Sequence, residues 1–121
     1  MIKPQENVSS SAVSREIEGL RTKYDFRDKE EVTSFIRANP QLEPMLFEAL
    51  EPIRTVFPES QLYLEVFHNP EYQDSNQLVI NISTGLSVKE ALTELDKIDR
   101  GWWGTNINRA EGKLSIDLEF E

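Results

Sequence analysis

His68 is the only histidine in the chain, beside Asn69-Pro70 at the end of an apolar–polar alternation, so a nitrogen base or ligand has one place to be. A histidine base works with an orienting carboxylate and a substrate-bound partner, and nothing near it in sequence supplies either. The ring is read as structural or solvated. Metal sites built on two or more imidazoles are excluded, which leaves all-oxygen sites or sites with one nitrogen. Glu94, Asp96 and Asp99 fall in one helical region, but no Asp-x-Asp-x-Asp-Gly calcium loop occurs, and Lys97 and Arg100 interleave with them as on a solvated helix face. Without cysteine, the chain forms no disulfide, thiolate nucleophile, zinc ribbon or iron–sulfur ligand set of its own. Its five glycines make no Gly-x-Gly-x-x-Gly, Walker loop or nucleophile elbow. Ser9, Ser10 and Ser11 are phosphate acceptors in principle, in a composition that reads as a flexible terminus. No catalytic residue, metal ligand or cofactor is expected.

The charge balance narrows the partners. The 121 residues carry a formal charge of −9. Phosphate backbones and anionic lipid surfaces recruit clustered Lys and Arg, so neither nucleic acid nor membrane is an expected partner. The first residues lack the apolar core of a secretory signal and no long apolar run follows, which predicts a soluble cytoplasmic protein. The charge is unevenly spread. Residues 1–27 hold five basic and four acidic side chains, and residues 28–121 hold eight basic and eighteen acidic ones. The sequence therefore divides into an N-terminal arm, 1–27, and one compact acidic domain, 28–121.

Within the arm, Val13, Ile17, Leu20 and Tyr24 recur at helical intervals, predicting a short amphipathic helix over about 12–24 that needs a surface to pack against. Asp28 and Glu31 have capping-box spacing ahead of Val32, Phe35 and Ile36. That helix should end near Asn39, with Asn39 capping a second helix whose first residue is Pro40. Met45, Leu46, Ala49, Leu50, Ile53, Val56 and Phe57 then form the main core stripe, and Pro52 predicts a kink near 48–52.

After Pro58 the hydrophobic period shortens to two. Leu62, Leu64 and Val66 alternate with Tyr63, Glu65 and Phe67, and Leu78, Ile80 and Ile82 repeat the pattern after a long polar connection. Ser87 and Glu90 make a second capping box, opening a helix through Val88, Ala91, Leu92, Leu95 and Ile98 that should stop near Gly101. A last strand, 113–120, turns Leu114, Ile116, Leu118 and Phe120 inward. The order helix, helix, strand, strand, helix, strand predicts an α+β fold. Placing the last strand beside the first gives a three-stranded sheet of order 2-1-3 in which every pairing is antiparallel, with helices on one face.

Phe57-Pro58 before Leu62-Tyr63-Leu64-Glu65-Val66, the run from Thr84 to Leu92, Trp102-Trp103 and Gly112-Lys113-Leu114-Ser115-Ile116 together resemble a family of short acidic bacterial proteins with no assigned activity. The resemblance begins at about residue 35. It implies a compact α+β protein and carries over no site.

The outward sheet face is the most informative surface. Pairing of the first and last strands would set Tyr63, Glu65 and Phe67 on one face with Ser115, Asp117 and Glu119, acidic and aromatic together. Aromatics of that size on a sheet face call for a cover, from the N-terminal helix or from another protein. The expected partner-binding residues are Tyr63, Glu65, Phe67, Asp117 and Glu119, joined by Trp103, since tryptophan is enriched at interface hot spots. Trp102 should be buried at the foot of the core and Trp103 more exposed. The reading is a noncatalytic interaction module, an adaptor, subunit or neutralising partner of a basic protein, with a homodimer also compatible. The alternative is a small enzyme whose carboxylates meet across a homodimer cleft.

Overall fold

The computed structural model describes residues 16–71 and 75–121. Helical residues 16–21 (α1) lead to the two-residue strand β1 (Asp25–Phe26), then α2 (Lys29–Ala38), α3 (Leu42–Glu48) and α4 (Leu50–Val56). The hairpin strands β2 (Gln61–Phe67) and β3 (Gln77–Thr84) follow, then α5 (Val88–Ile98), an irregular helical path from Asp99 to Ala110, and β4 (Leu114–Phe120). The fold is α+β, as expected.

Both predicted N-caps are present. Asp28 adopts a left-handed conformation, with φ of 61°, and its carboxylate accepts the Glu31 N–H. Ser87 accepts the Glu90 N–H at 3.2 Å and donates back to the Glu90 carboxylate at 2.9 Å. Asn39 behaves differently from expectation. Its side chain donates to the Phe35 carbonyl at 2.9 Å, closing α2, and its own carbonyl accepts from Leu42 N–H at 3.0 Å. Pro40 and Gln41 are therefore the two central residues of a turn, a place that suits proline's fixed φ, and the new helix starts only at Leu42. The expected kink falls at Ala49, between α3 and α4, because Pro52 has no N–H to offer the Glu48 carbonyl.

The sheet has four strands in the order β1-β2-β3-β4: β1 and β2 are parallel, β2 and β3 antiparallel, β3 and β4 parallel. This corrects the predicted three-stranded antiparallel order 2-1-3. The slot beside β2 is taken by β1, which pairs Asp25 with Tyr63 and Phe26 with Leu64, while the Arg27 N–H donates to the Leu64 carbonyl. β4 lies instead on the far side of β3, reached through α5. Leu78 through Thr84 are all buried, as suits a central strand: the helices cover Leu78, Ile80 and Ile82, and side chains on or just past the flanking strands, Glu65 and Glu121 among them, lie against Asn81 and Ser83.

One core joins the sheet to every helix. Ile17, Leu20 and Tyr24 pack with Val32, Ile36, Leu46, Ile53, Leu64, Ile80, Ala91 and Ile98. The partner that α1 requires is thus this chain's own core; the predicted start of that helix, 12–15, lies outside the described residues. On α5, Ala91, Leu95 and Ile98 face the core, but Val88 and Leu92, predicted to join them, are 58% and 53% exposed. At about 100° per residue Leu92 is turned a quarter of a circle from Ala91, and no described element covers that flank. The helix does stop near Gly101, as predicted. Gly101 leaves helical geometry, with φ of −94° and ψ of −111°, and the chain resumes helical turns as far as Ala110.

Candidate interaction face on the sheet

Register decides which side chains share the outer face. Tyr63 stands opposite Asn81, and Asn81 opposite Asp117; Glu65, Val79 and Ser115 form the next row; Gln61, Ser83 and Glu119 form the row on the other side. Tyr63, Glu65, Phe67, Asp117 and Glu119 therefore do lie on one face, as predicted, but with β3 between them. Two strand spacings put β2 and β4 about 10 Å apart, so a carboxylate on one does not meet a carboxylate on the other without an intermediary.

The intermediary is Arg27, which sequence reading did not single out. Its guanidinium lies over the Tyr63 ring, 3.9 Å from the centroid, and donates to both Glu119 oxygens at 2.8 and 2.5 Å. Glu65 is a further ion partner at 3.6 Å. The hydrogen bond to Glu119, then the attraction of the nearby carboxylates, hold the guanidinium pKa above its ordinary value against some desolvation. The same bond, with the attraction of the charge, pulls the Glu119 carboxyl below the ordinary range. Asn81, buried in the central strand, donates its amide to Glu65 and fixes that carboxylate from the other side.

The rest of the face is less committed. Asp117 is exposed in mid-strand, and Phe67 is 52% exposed at the end of β2. Glu121, just past β4, accepts from the Ser83 hydroxyl at 3.3 Å. Tyr63 is half-buried under Arg27, so part of the aromatic cover comes from the chain's own arginine.

Trp103 does not join this face. It stacks on Trp102, with ring centroids 6.0 Å apart and planes 25° from parallel, and both rings pack against the core. The expectation of one buried and one exposed tryptophan is corrected: each is half-buried, because the irregular turn at Gly101 lays the rings on one another. Trp102 also lines a groove between α4 and α5 with Glu48, Pro52, Thr55, Ile98 and Lys97. Glu48, at its rim, is bound by both terminal nitrogens of Arg109, at 2.7 and 2.9 Å, and its carboxyl is held below the ordinary range chiefly by that bond.

His68 gains a carboxylate that its neighbours in sequence do not supply. Its Nε2 is 2.6 Å from Glu31 on α2, and Asn76 lies 3.4 Å from Nδ1. All three lie at one end of the hairpin, the ring is exposed, and the contact ties the hairpin to α2. Among the described residues, no group of three or more His, Asp and Glu side chains is arranged to hold a metal ion. No helix among them is long and apolar enough to cross a membrane. No protein-family model, no curated protein and no solved structure matches the chain.

Proposed function

We propose that the protein is a noncatalytic interaction module whose outer sheet face receives a basic partner protein. The observation that carries this reading is the composition of the three central rows. Every charged strand residue in them, Asp25, Glu65, Asp117 and Glu119, is acidic, and the cation that reaches them is Arg27, just past the end of β1. Asp117 and Glu121 remain exposed on the β4 side of the face, and Phe67 is exposed at the other end of the sheet, where β2 finishes. The half-buried carboxylates are also held in fixed positions by Arg27 and Asn81, so a docking cation meets them without first ordering them.

The test compares the protein with its Glu65→Lys/Asp117→Lys variant, both immobilised, in capture from a host lysate at low salt. Basic proteins retained by the wild type should be released as salt shortens the screening length to about 10 Å and below, and should be missing from the variant. A thermal melt confirms that the variant is folded. Equal retention by the two proteins would remove the sheet face from consideration.

A further inference from the structure

β4 is an edge strand: among the described residues it pairs with β3 and with no other strand. The ladder shows which of its backbone groups are spent. Leu78 N–H donates to the Lys113 carbonyl and Glu121 N–H to the Thr84 carbonyl, so the odd-numbered residues of β4 turn their polar backbone towards β3. The even-numbered ones, Leu114, Ile116, Leu118 and Phe120, turn theirs to the free edge.

Apolar surface adjoins that edge. Phe120 is 45% exposed and Leu118 half-buried, both on the helix-covered side of the sheet. The Val88–Leu92 flank of α5 belongs to the same region. α4 packs along the other flank of α5, near Glu90, Thr93, Glu94 and Lys97, and leads directly into β2, whereas α5 joins β3 to β4. The flank turned away from α4 therefore lies on the β4 side. Above the edge, on the outer face, stand Asp117, Glu119 and Glu121.

We infer that the β4 edge takes an extended segment of the partner as an added strand, with Lys or Arg at alternate positions against Asp117, Glu119 and Glu121. The apolar residues between them would cover Phe120, Leu118 and the Val88–Leu92 flank. This mode of docking rests on the interaction reading above and names the shape and chemistry of what docks. Strand addition supplies affinity through main-chain hydrogen bonds and selectivity through alternate side chains, which here demand opposite characters on the two faces. A second copy of this chain paired symmetrically about the middle of β4 is disfavoured. Antiparallel self-pairing centred on β4 would set Asp117 against Asp117, and like charges directly opposite destabilise a ladder.

The probe is a capped seven-residue peptide alternating Lys and Val, the length of β4. Two further versions carry N-methyl groups, one on the lysines and one on the valines. In the free protein the amides of Ile116 and Leu118 should exchange quickly and those of Ser115 and Asp117 slowly. Saturating peptide should slow exchange at Ile116 and Leu118 by about tenfold or more. One N-methylated version should bind like the parent and the other at least about tenfold more weakly, since only one set of its N–H groups can face the edge. Equal binding of all three peptides would overturn strand addition while leaving an acidic docking face standing. No binding of any of them, or Ile116 and Leu118 already protected in a peptide-free dimer, would overturn the inference, and the lysate comparison judges the broader reading separately.

Discussion

Arg27 and Glu119 are ninety-two positions apart in the chain and joined by two hydrogen bonds, which span the outer face from the β1 end to β4 over the ring of Tyr63. Both side chains are about one-third to two-fifths exposed, so solvent screens the pair. Exposed ion pairs are worth about 0.2–1 kcal/mol and a cation over an exposed ring about 0.5–1 kcal/mol. A double-mutant cycle of Arg27→Met and Glu119→Gln, read by urea unfolding, should give a coupling of about 0.5–1 kcal/mol that shrinks in high salt. A coupling of zero at low salt would mean that the clasp contributes nothing to stability.

The carboxylates divide by the sign of their pH dependence. Glu48 and Glu119 are held below the ordinary range by hydrogen bonds from Arg109 and Arg27. Their stabilisation is fully present above the unfolded carboxylate value of about 4.3, and it is lost as pH falls through their depressed folded values. Asp99 acts in the opposite sense, because partial desolvation and then the nearby Asp96 raise its pKa, an effect that solvent screens at this exposed side chain. Its ionised form costs stability at neutral pH, and that cost disappears as pH falls through the raised value. Asp99→Asn should therefore raise the melting temperature at pH 7 and have a much smaller effect at pH 3. Glu119→Gln should lower it at pH 7, and the loss should shrink as pH falls through the depressed Glu119 value. An Asp99→Asn gain that is as large at pH 3 would show a cause other than ionisation.

Tyr24 ties the N-terminal segment to the helical layer. Its buried hydroxyl donates to the Leu46 carbonyl at 2.6 Å, and burial holds the phenol above its ordinary pKa, so it stays a donor at neutral pH. Tyr24→Phe keeps the ring and removes the bond, and should cost about 0.5–1.5 kcal/mol in urea unfolding, near the worth of one buried hydrogen bond. Tyr24→Ala should cost more, through the cavity as well. If Tyr24→Phe were neutral, the anchoring would rest on the packing of the Tyr24 ring, Ile17 and Leu20 and not on the hydrogen bond.

The sequence made legible whatever depends on local spacing. The Asp28 and Ser87 caps, the break forced by Pro52, and the period-two strands all come from residues within four of one another. Strand order was not legible, because it turned on Asp25–Phe26, a strand too short to show any period. The grouping of Tyr63, Glu65 and Phe67 with Asp117 and Glu119 survives the wrong order, since alternation puts odd-numbered residues of every strand on the same face whichever strand lies between. Arg27 was missed for the same reason as β1: its role exists only after Asp25–Phe26 pairs with β2. The signal was there in Asp25-Phe26-Arg27, polar, apolar and polar, but three residues cannot distinguish an edge strand from a loop.

Trp102 and Trp103 share one environment, and spectroscopy should report them as a pair. Rings stacked with centroids 6.0 Å apart couple their electronic transitions, which predicts a couplet in the circular dichroism of the indole bands. Trp102→Phe and Trp103→Phe should each abolish the couplet completely, because coupling needs both rings. The remaining tryptophan should show similar emission and similar partial quenching in the two variants, since each ring is half-buried against the core. Truncation to Ala should cost comparable amounts at the two positions, below the about 3–5 kcal/mol of a fully buried aromatic. Trp102 lines the groove with Glu48 and is the smallest of the influences that lower that carboxyl, so Trp102→Phe should ease it slightly towards its ordinary range, an effect that Trp103→Phe should not have. A clearly red-shifted, freely quenched tryptophan in one variant and a shielded one in the other would separate the rings, and would return Trp103 to the role of an exposed anchor.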